Sequence, residues 1–425
     1  MNVVEVQRLG DGRYPSPVAG GRDEARWVPA DVRWTSPEPP ADLLLFEEAG
    51  PRTRLFFDPA HTRAGIVTCG GLCPGLNNVI RSAFLELHHR YGVLEVLGFR
   101  GGYQGLDPAR GATPVVLTPE FVEDIHREGG TILGTSRGPV DVAVAVDNLI
   151  RRKVDILFTV GGDGTQRGSD DLYREARRRG HPLAVVGIPK TIDNDVPYVS
   201  QSFGFQTAVE EASRIIDGAH TEAHSVQNGI SVVKVMGRNA GFIAAAATIA
   251  NQDVNFTLVP EVPFALEGAG GFLASLERRV RARRHAVIVV AEGAGQELVG
   301  EAGTERDASG HARLGDIGAV LRDRIAAHFK AAGIPVALRY FDPSYSIRSR
   351  PADAEDAILC DAYARHAVHA AMAGRTGLVV GHMNDTFVFV PIDRLTSRTR
   401  RLDPAGAMWQ SVLASTGQAE RMLDG

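Results

Sequence analysis

The stretch Ile156-Leu157-Phe158-Thr159-Val160-Gly161-Gly162-Asp163-Gly164-Thr165 decides the architecture. Apolar and β-branched residues in an unbroken run read as a short strand buried on both faces, the kind found in parallel sheets covered by helices. Two glycines end it, and Gln166–Arg179 reads as a helix. Asp170 and Asp171 lie early in that helix, Arg177, Arg178 and Arg179 lie late, and Gly180 follows. Those charges complement the helix dipole, so the arginine triplet is read as a solvated helix end and not as a ligand site.

The same texture extends outward from Ala64. Strands are expected at Ala64–Thr68, Val93–Phe99, Ile156–Val160, Leu183–Ile188, Ser231–Val235, Phe256–Val259, Ala286–Val290, Val336–Arg339 and Gly377–Val380. Helices are expected around Leu76–Arg90, Pro119–Glu128, Asp141–Lys153, Gln166–Arg179, Gln206–His220, Asn239–Ala250, Asp316–Ala331 and Ala354–Ala373. Short buried strands alternating with helices mean an α/β protein built on parallel sheets. Before Ala64 the chain is punctuated by Pro15, Pro17, Pro29, Pro37, Pro39 and Pro40, with one short apolar patch at Leu43–Phe46. Residues 1–60 are read as an N-terminal extension, partly extended, that wraps on the main body or on a partner subunit.

The totals narrow the function. A chain of 425 residues fits two domains with cores of their own. A net charge of -5 gives no global positive field, so neither nucleic acid nor an anionic membrane is expected as a partner. Anionic ligands would have to be held by local arginines and backbone amides. Three cysteines argue against a disulfide framework and for a reducing compartment. Cys69 and Cys73 lack a second ligand pair at zinc spacing and read as small buried residues flanking a glycine loop. There is no basic start followed by an apolar run, and the longest apolar stretch, Gly241–Ala250, is far short of a membrane span. A cytoplasmic location is expected.

In such folds ligands collect at the carboxyl ends of strands, and the glycine clusters fall there. The first strand ends in Cys69-Gly70-Gly71-Leu72-Cys73-Pro74-Gly75-Leu76-Asn77-Asn78. Glycines let the backbone approach an anion, and the following helix start offers free N–H groups. The Lys-Ser/Thr ending of a Walker A loop is absent. The second cluster, Gly161–Thr165, sets Asp163 between glycines, where a carboxylate can hold magnesium while the backbone folds round phosphates. The third segment, Pro189-Lys190-Thr191-Ile192-Asp193-Asn194-Asp195, brings two carboxylates just past a strand end. With ordinary Asp pKa values near ~4 both are ionised at neutral pH. One can accept a hydroxyl proton while the other orients an arginine or a metal. A plain acidic turn is the alternative.

Charge on a transferring phosphoryl group must be met by cations. Arg137, in Gly134-Thr135-Ser136-Arg137-Gly138, and Arg238, in Met236-Gly237-Arg238, are candidates. Arg339, Arg348 and Arg350 with Tyr345 suit a second phosphate that binds without reacting, or form a basic surface loop. Glu292, just past a strand, suits sugar hydroxyls or is an exposed acid.

Taken together, these segments resemble the phosphofructokinase family from about Ala64 to about Pro391. The motifs occur in that family's order. The Thr191-Ile192-Asp193-Asn194-Asp195 and Met236-Gly237-Arg238 runs separate the sequence from NAD kinases and lipid kinases, which share the Gly-Gly-Asp-Gly-Thr run. The resemblance implies two Rossmann-like three-layer α/β/α domains. The nucleotide domain is expected at 61–204 plus about 352–400, the sugar-phosphate domain at 205–351 plus the C-terminal tail, and the active site in the cleft between them. It implies transfer of the ATP γ-phosphoryl to the 1-hydroxyl of fructose 6-phosphate, with Mg2+. Asp193 resembles the base, Asp163 the magnesium-linked acid with Asp195 nearby, Arg137 and Arg238 the transition-state stabilisers, and Thr191 a positioner of the transferred group. Gly70, Tyr103, Arg137, Gly162, Asp163, Gly164, Thr165 and Gly168 resemble nucleotide-side positions. Lys190, Asp195, Met236, Gly237, Arg238, Glu292, Arg339, Tyr345 and Arg348 resemble sugar-phosphate positions. Some of those arginines cross from a neighbouring subunit in the family, which implies a homodimer or homotetramer.

The donor rests on two residues that point opposite ways. Gly164 resembles the ATP-dependent form, since an Asp there would intrude on the α-phosphate. Lys190 resembles the pyrophosphate-dependent form. Their pairing, with Thr165-Gln166-Arg167-Gly168 and a long N-terminal extension, resembles the ATP-dependent group of plants and trypanosomatids. Gly229 and Tyr345 depart from the arginine and histidine of short bacterial enzymes, which leaves the sugar site less defined than the nucleotide site. A pyrophosphate-dependent enzyme, a kinase for another sugar phosphate, and a non-catalytic sensor are the alternatives.

Overall fold

The computed structural model describes residues 1–300, 314–395 and 399–423. Residues 301–313, inside the expected sugar-phosphate domain, 396–398, inside the expected nucleotide domain, and 424–425, in the C-terminal tail, lie outside the described residues. The chain divides into two compact units, one of 1–191, 196–204 and 349–399, the other of 192–195, 205–348 and 400–425.

The first unit is built on a ten-stranded sheet. From edge to edge it runs Asn2–Val4, Leu44–Glu48, Thr386–Pro391, Leu378–Met383, Ala184–Pro189, Ile156–Gly161, Arg63–Thr68, Glu95–Phe99 and Val115–Val116, with Trp27–Pro29 pairing alongside Leu44–Glu48. Its centre is parallel, with Ile156 opposite both Ala64 and Ala184. Every residue of Ile156–Gly161 and Ala184–Pro189 is buried, which is why these strands carry no polar alternation. Phe99, Leu149, Leu157, Leu172 and Val185 form one core face under the helices.

Residues 1–60 are part of this sheet. They supply three of its strands, and Phe46 is fully buried. One edge of the sheet turns antiparallel through the hairpin Leu378–Met383 and Thr386–Pro391. Its tip, Asn384-Asp385, has φ of 50° and 56°, the left-handed pair a tight hairpin turn needs.

The second unit holds a four-stranded parallel sheet in the order Phe256–Leu258, His285–Ala291, Gly229–Val235, Ala337–Phe341. Helices Phe205–His224, Phe242–Asn251, Phe272–Arg283 and Ile317–Ala331 cover it. Ile288, Phe272, Leu276, Leu321 and Phe329 fill its core. Asp141, Asp316 and Asp353 each cap a helix by accepting a backbone N–H, a contact worth about 1 kcal/mol.

Two expectations are corrected. The helix expected over Pro119–Glu128 is a single turn, Pro119–Val122, followed by a 3-10 turn at Ile125–Arg127. Only Val122 and Ile125 are buried there, too little apolar face to sustain three turns. The helix expected from Gln166 begins at Asp163, so Asp163-Gly164-Thr165 form its first turn and Gly162 its N-cap. Phe272–Arg283 and Ala407–Thr416 are helices that the periodicity did not single out.

Candidate active site

In the first unit three loops meet at the carboxyl ends of adjacent strands. The first begins at Gly70, whose φ of +83° no β-carbon favours. Its N–H donates to Ser136 O at 3.1 Å, and its carbonyl accepts the Thr135 hydroxyl at 2.7 Å. The Gly134–Gly138 loop is thereby tied to the first glycine loop. Arg137, which follows Ser136, is exposed.

The second loop is the helix start Gly162–Thr165. Free N–H groups at a helix N-terminus attract anions. Asp163 is half-buried and Gly164 exposed. A β-carbon at Gly164 would meet nothing within 4 Å, so the space beside it is open to a ligand. At Gly161 a β-carbon would lie 2.2 Å from Thr165 Oγ1, so the turn closes only on glycine.

Tyr103 and Gly168 support this turn from behind. Tyr103 is 6% exposed, its hydroxyl donates to Thr165 O at 2.6 Å, and a β-carbon at Gly168 would strike its ring at 2.6 Å. Burial pushes the nearby Cys69 thiol up to about 12, which removes it as a nucleophile.

The third loop starts at Lys190. This lysine is buried at 7% exposure, and its ammonium donates to Gly71 O at 2.7 Å. Its backbone N–H donates to Gly161 O at 3.1 Å, so Lys190 joins all three loops. The Thr191 carbonyl accepts the Ser202 hydroxyl at 2.6 Å.

In the second unit the Asp193 carboxylate faces the backbone N–H of Arg238 at 3.5 Å. Asn194 is left-handed at φ +55°, which folds the acidic turn sharply. Arg400 secures that turn: its guanidinium donates to Asn194 O at 3.0 Å, and its N–H to Asp195 O at 2.8 Å. The Arg400 guanidinium also stacks over Phe242, 4.6 Å from the ring centroid. Arg400 is a functional candidate that motif reading missed, because it contacts backbone carbonyls that no residue pattern announces.

Met236-Gly237-Arg238 leaves its strand through Gly237 at φ +128°, where a β-carbon would lie 2.7 Å from Ala240 O. Glu292 is brought beside it, its N–H bonded to Val235 O. Burial pushes the Glu292 carboxyl up, while Arg238, Lys234 and Arg348 pull it back down. Arg238, Glu292 and Arg348 therefore share one electrostatic neighbourhood, and Arg348 lies 4.8 Å over the Tyr345 ring. Arg339 is not brought to this group: it is 55% exposed and lies 3.9 Å from Glu222.

A phosphofructokinase family profile matches residues 63–371. The chain belongs to the phosphofructokinase family. It is 48% identical to an ATP-dependent 6-phosphofructokinase of Amycolatopsis methanolica, over 98% of this chain and 95% of that one. It is 45% identical to the ATP-dependent 6-phosphofructokinase of Trypanosoma brucei brucei, over 96% and 86%. The crystal structure of a pyrophosphate-dependent phosphofructokinase from Marinobacter aquaeolei matches with a TM-score of 0.69 at 19% identity, over 86% of this chain and 92% of that one. That last likeness is one of fold. Among the described residues of this phosphofructokinase no helix is long and apolar enough to cross a membrane.

Proposed function

We propose that the chain transfers the γ-phosphoryl group of ATP to the 1-hydroxyl of fructose 6-phosphate, giving fructose 1,6-bisphosphate and ADP. The observation that carries the donor choice is the open space beside Gly164, at the first turn of the helix Asp163–Arg178. A nucleotide needs that space, and the curated relatives at 42–48% identity bear the ATP-dependent name.

The helix-start amides of Gly162–Thr165 and the glycine loop at Gly70 hold the phosphates. Magnesium suits this donor set. Asp163 offers a carboxylate at the helix start, and magnesium is usually held through one or two carboxylates together with substrate phosphates. When bound, it neutralises charge on the transferring group. Thr191 positions that group, and Asp193 accepts the proton of the attacking hydroxyl, with Asp195 beside it in sequence. Arg238 and Arg137 meet the charge that develops. Glu292 takes sugar hydroxyls, while Arg348 and Tyr345 take the 6-phosphate. Arg339, exposed and apart from its own chain's Glu292 group, serves a neighbouring copy. The enzyme is thus read as a cytoplasmic homo-oligomer, a homodimer or homotetramer.

The test is bisphosphate formation with Mg2+, run with ATP and with pyrophosphate side by side. Turnover with ATP alone is expected. Turnover with pyrophosphate alone would overturn the donor assignment, and silence with both would move the reading to another sugar phosphate or to a sensor.

A further inference from the structure

Gln166 follows the glycine turn and has no part in the chemistry above, yet it is 1% exposed. A buried carboxamide is unfavourable unless hydrogen-bonded. Its Nε2 donates to Gly161 O at 2.9 Å and lies 3.4 Å from Ile188 O. Gly161 O opens the Gly162–Thr165 turn, and Ile188 precedes Pro189-Lys190-Thr191. One carboxamide therefore spans the carboxyl ends of two neighbouring strands where both loops depart.

The paired strands end at Gly161 opposite Pro189, and just past that pair the Lys190 N–H donates to Gly161 O. A carbonyl oxygen has two lone pairs, and Gln166 occupies the second. The pocket is also shaped for it. A β-carbon at Gly187 would lie 2.1 Å from Gln166 Oε1, so Gly187 leaves room that the carboxamide fills. Oε1 is buried without a hydrogen-bond partner, so the group is oriented by its donor end and by shape.

We propose that Gln166 is a positioning residue for phosphoryl transfer, locking the donor-side turn to the Lys190-Thr191 segment. The inference rests on the reading of Gly162–Thr165 as the donor cradle. Displacing bound groups by an ångström costs on the order of a hundredfold in rate, so a looser link between the cradle and that segment would be felt in catalysis.

Gln166→Met keeps the length and removes the donor. A fall in kcat of about ten- to a hundredfold is expected, with a raised KM for ATP and a KM for fructose 6-phosphate within about twofold, at unchanged melting temperature. Gln166→Glu supplies a second readout. Its neutral carboxyl can donate to Gly161 O, whereas its carboxylate repels both carbonyls, and burial raises its pKa. The ratio of variant to wild-type kcat should fall as pH rises. Wild-type kinetics in Gln166→Met, a loss that only tracks melting temperature, or a pH-independent Gln166→Glu ratio would each overturn the assignment. Asp163→Asn separates the two readings. Full ATP turnover there overturns the cradle itself, and Gln166's role with it. An inactive Asp163→Asn beside a normal Gln166→Met overturns the Gln166 assignment alone.

Discussion

The ammonium of Lys190 donates to the carbonyl of Gly71 at 2.7 Å, from a side chain only 7% exposed. A hydrogen bond from a charged donor contributes about 1.5–3 kcal/mol. Lys190 thus fixes the first glycine loop against the other two, whatever it also offers a phosphate. Lys190→Met should raise KM for ATP by about tenfold or more without creating pyrophosphate use. Steady-state kinetics with both donors check this, and a gain of pyrophosphate turnover would contradict it.

Gly164→Asp separates folding from donor use. The position is exposed, and nothing lies within 4 Å of an added β-carbon. A carboxylate in the first turn of a helix complements the dipole, so stability should hold or rise slightly. With the donor bound there as proposed, the same charge repels it, and kcat/KM for ATP should fall about a hundredfold or more. Unchanged ATP kinetics in a well-folded variant would refute the account of this position.

Asp193→Asn keeps the shape of the acidic turn and removes the proposed base. Its side-chain oxygen can still accept the Arg238 N–H, so substrate binding should change little. A loss of about 10²–10⁴ in kcat is expected, read from initial rates at saturating substrates. A loss below about tenfold would remove Asp193 from the role of base.

Arg400→Met tests the support of that turn. The variant loses the guanidinium link to Asn194 O and keeps the backbone N–H link to Asp195 O, and the aspartates of the turn themselves remain. The variant should lose about tenfold or more in kcat, in line with the sensitivity of rate to small displacements, and Arg400→Lys should recover part of it. Wild-type kcat in Arg400→Met would make the link incidental.

Acid should weaken the first unit through two histidines. Burial pushes His369 down to about 3 and His366 down to about 4 from an ordinary 6.5. His369 stays neutral in the fold, its Nδ1 2.8 Å from the Tyr91 hydroxyl and 3.9 Å from Glu86. Below 6.5 the unfolded chain binds protons that the folded chain refuses, so the stability is full above 6.5 and is lost as pH falls toward 4 and 3. The urea midpoint should drop between pH 7.5 and 5, and His369→Gln should flatten that drop. An equal slope in the variant would exclude His369 as a source.

The glycine loops were legible because their backbone geometry favours glycine. At Gly161 and Gly237 a side chain would collide, and Gly164 opens on the space proposed for the donor. The acidic turn was legible from two aspartates past a strand end. Gln166 and Arg400 were not, because both act on carbonyl oxygens, which every residue carries. The N-terminal strands escaped because they are three to five residues long and interrupted by prolines, and because their link to the rest of the sheet, Leu44–Glu48 with Thr386–Pro391, spans most of the sequence. The Asn384-Asp385 turn was a readable hairpin signal between Leu378–Met383 and Thr386–Pro391, and the second of those strands went unassigned.

The place of Leu44–Glu48 in the sheet has a consequence for biosynthesis. It pairs with Thr386–Pro391, with Phe389 opposite Glu47. When the first of these strands leaves the ribosome, the second has not been made. The early segment can pair at once with Asn2–Val4 and Trp27–Pro29, but its link to the rest of the sheet must wait for nearly the whole chain to be translated. Such late, distant pairing slows folding and exposes a strand edge meanwhile. Residues made early are among the last to join the body of the sheet.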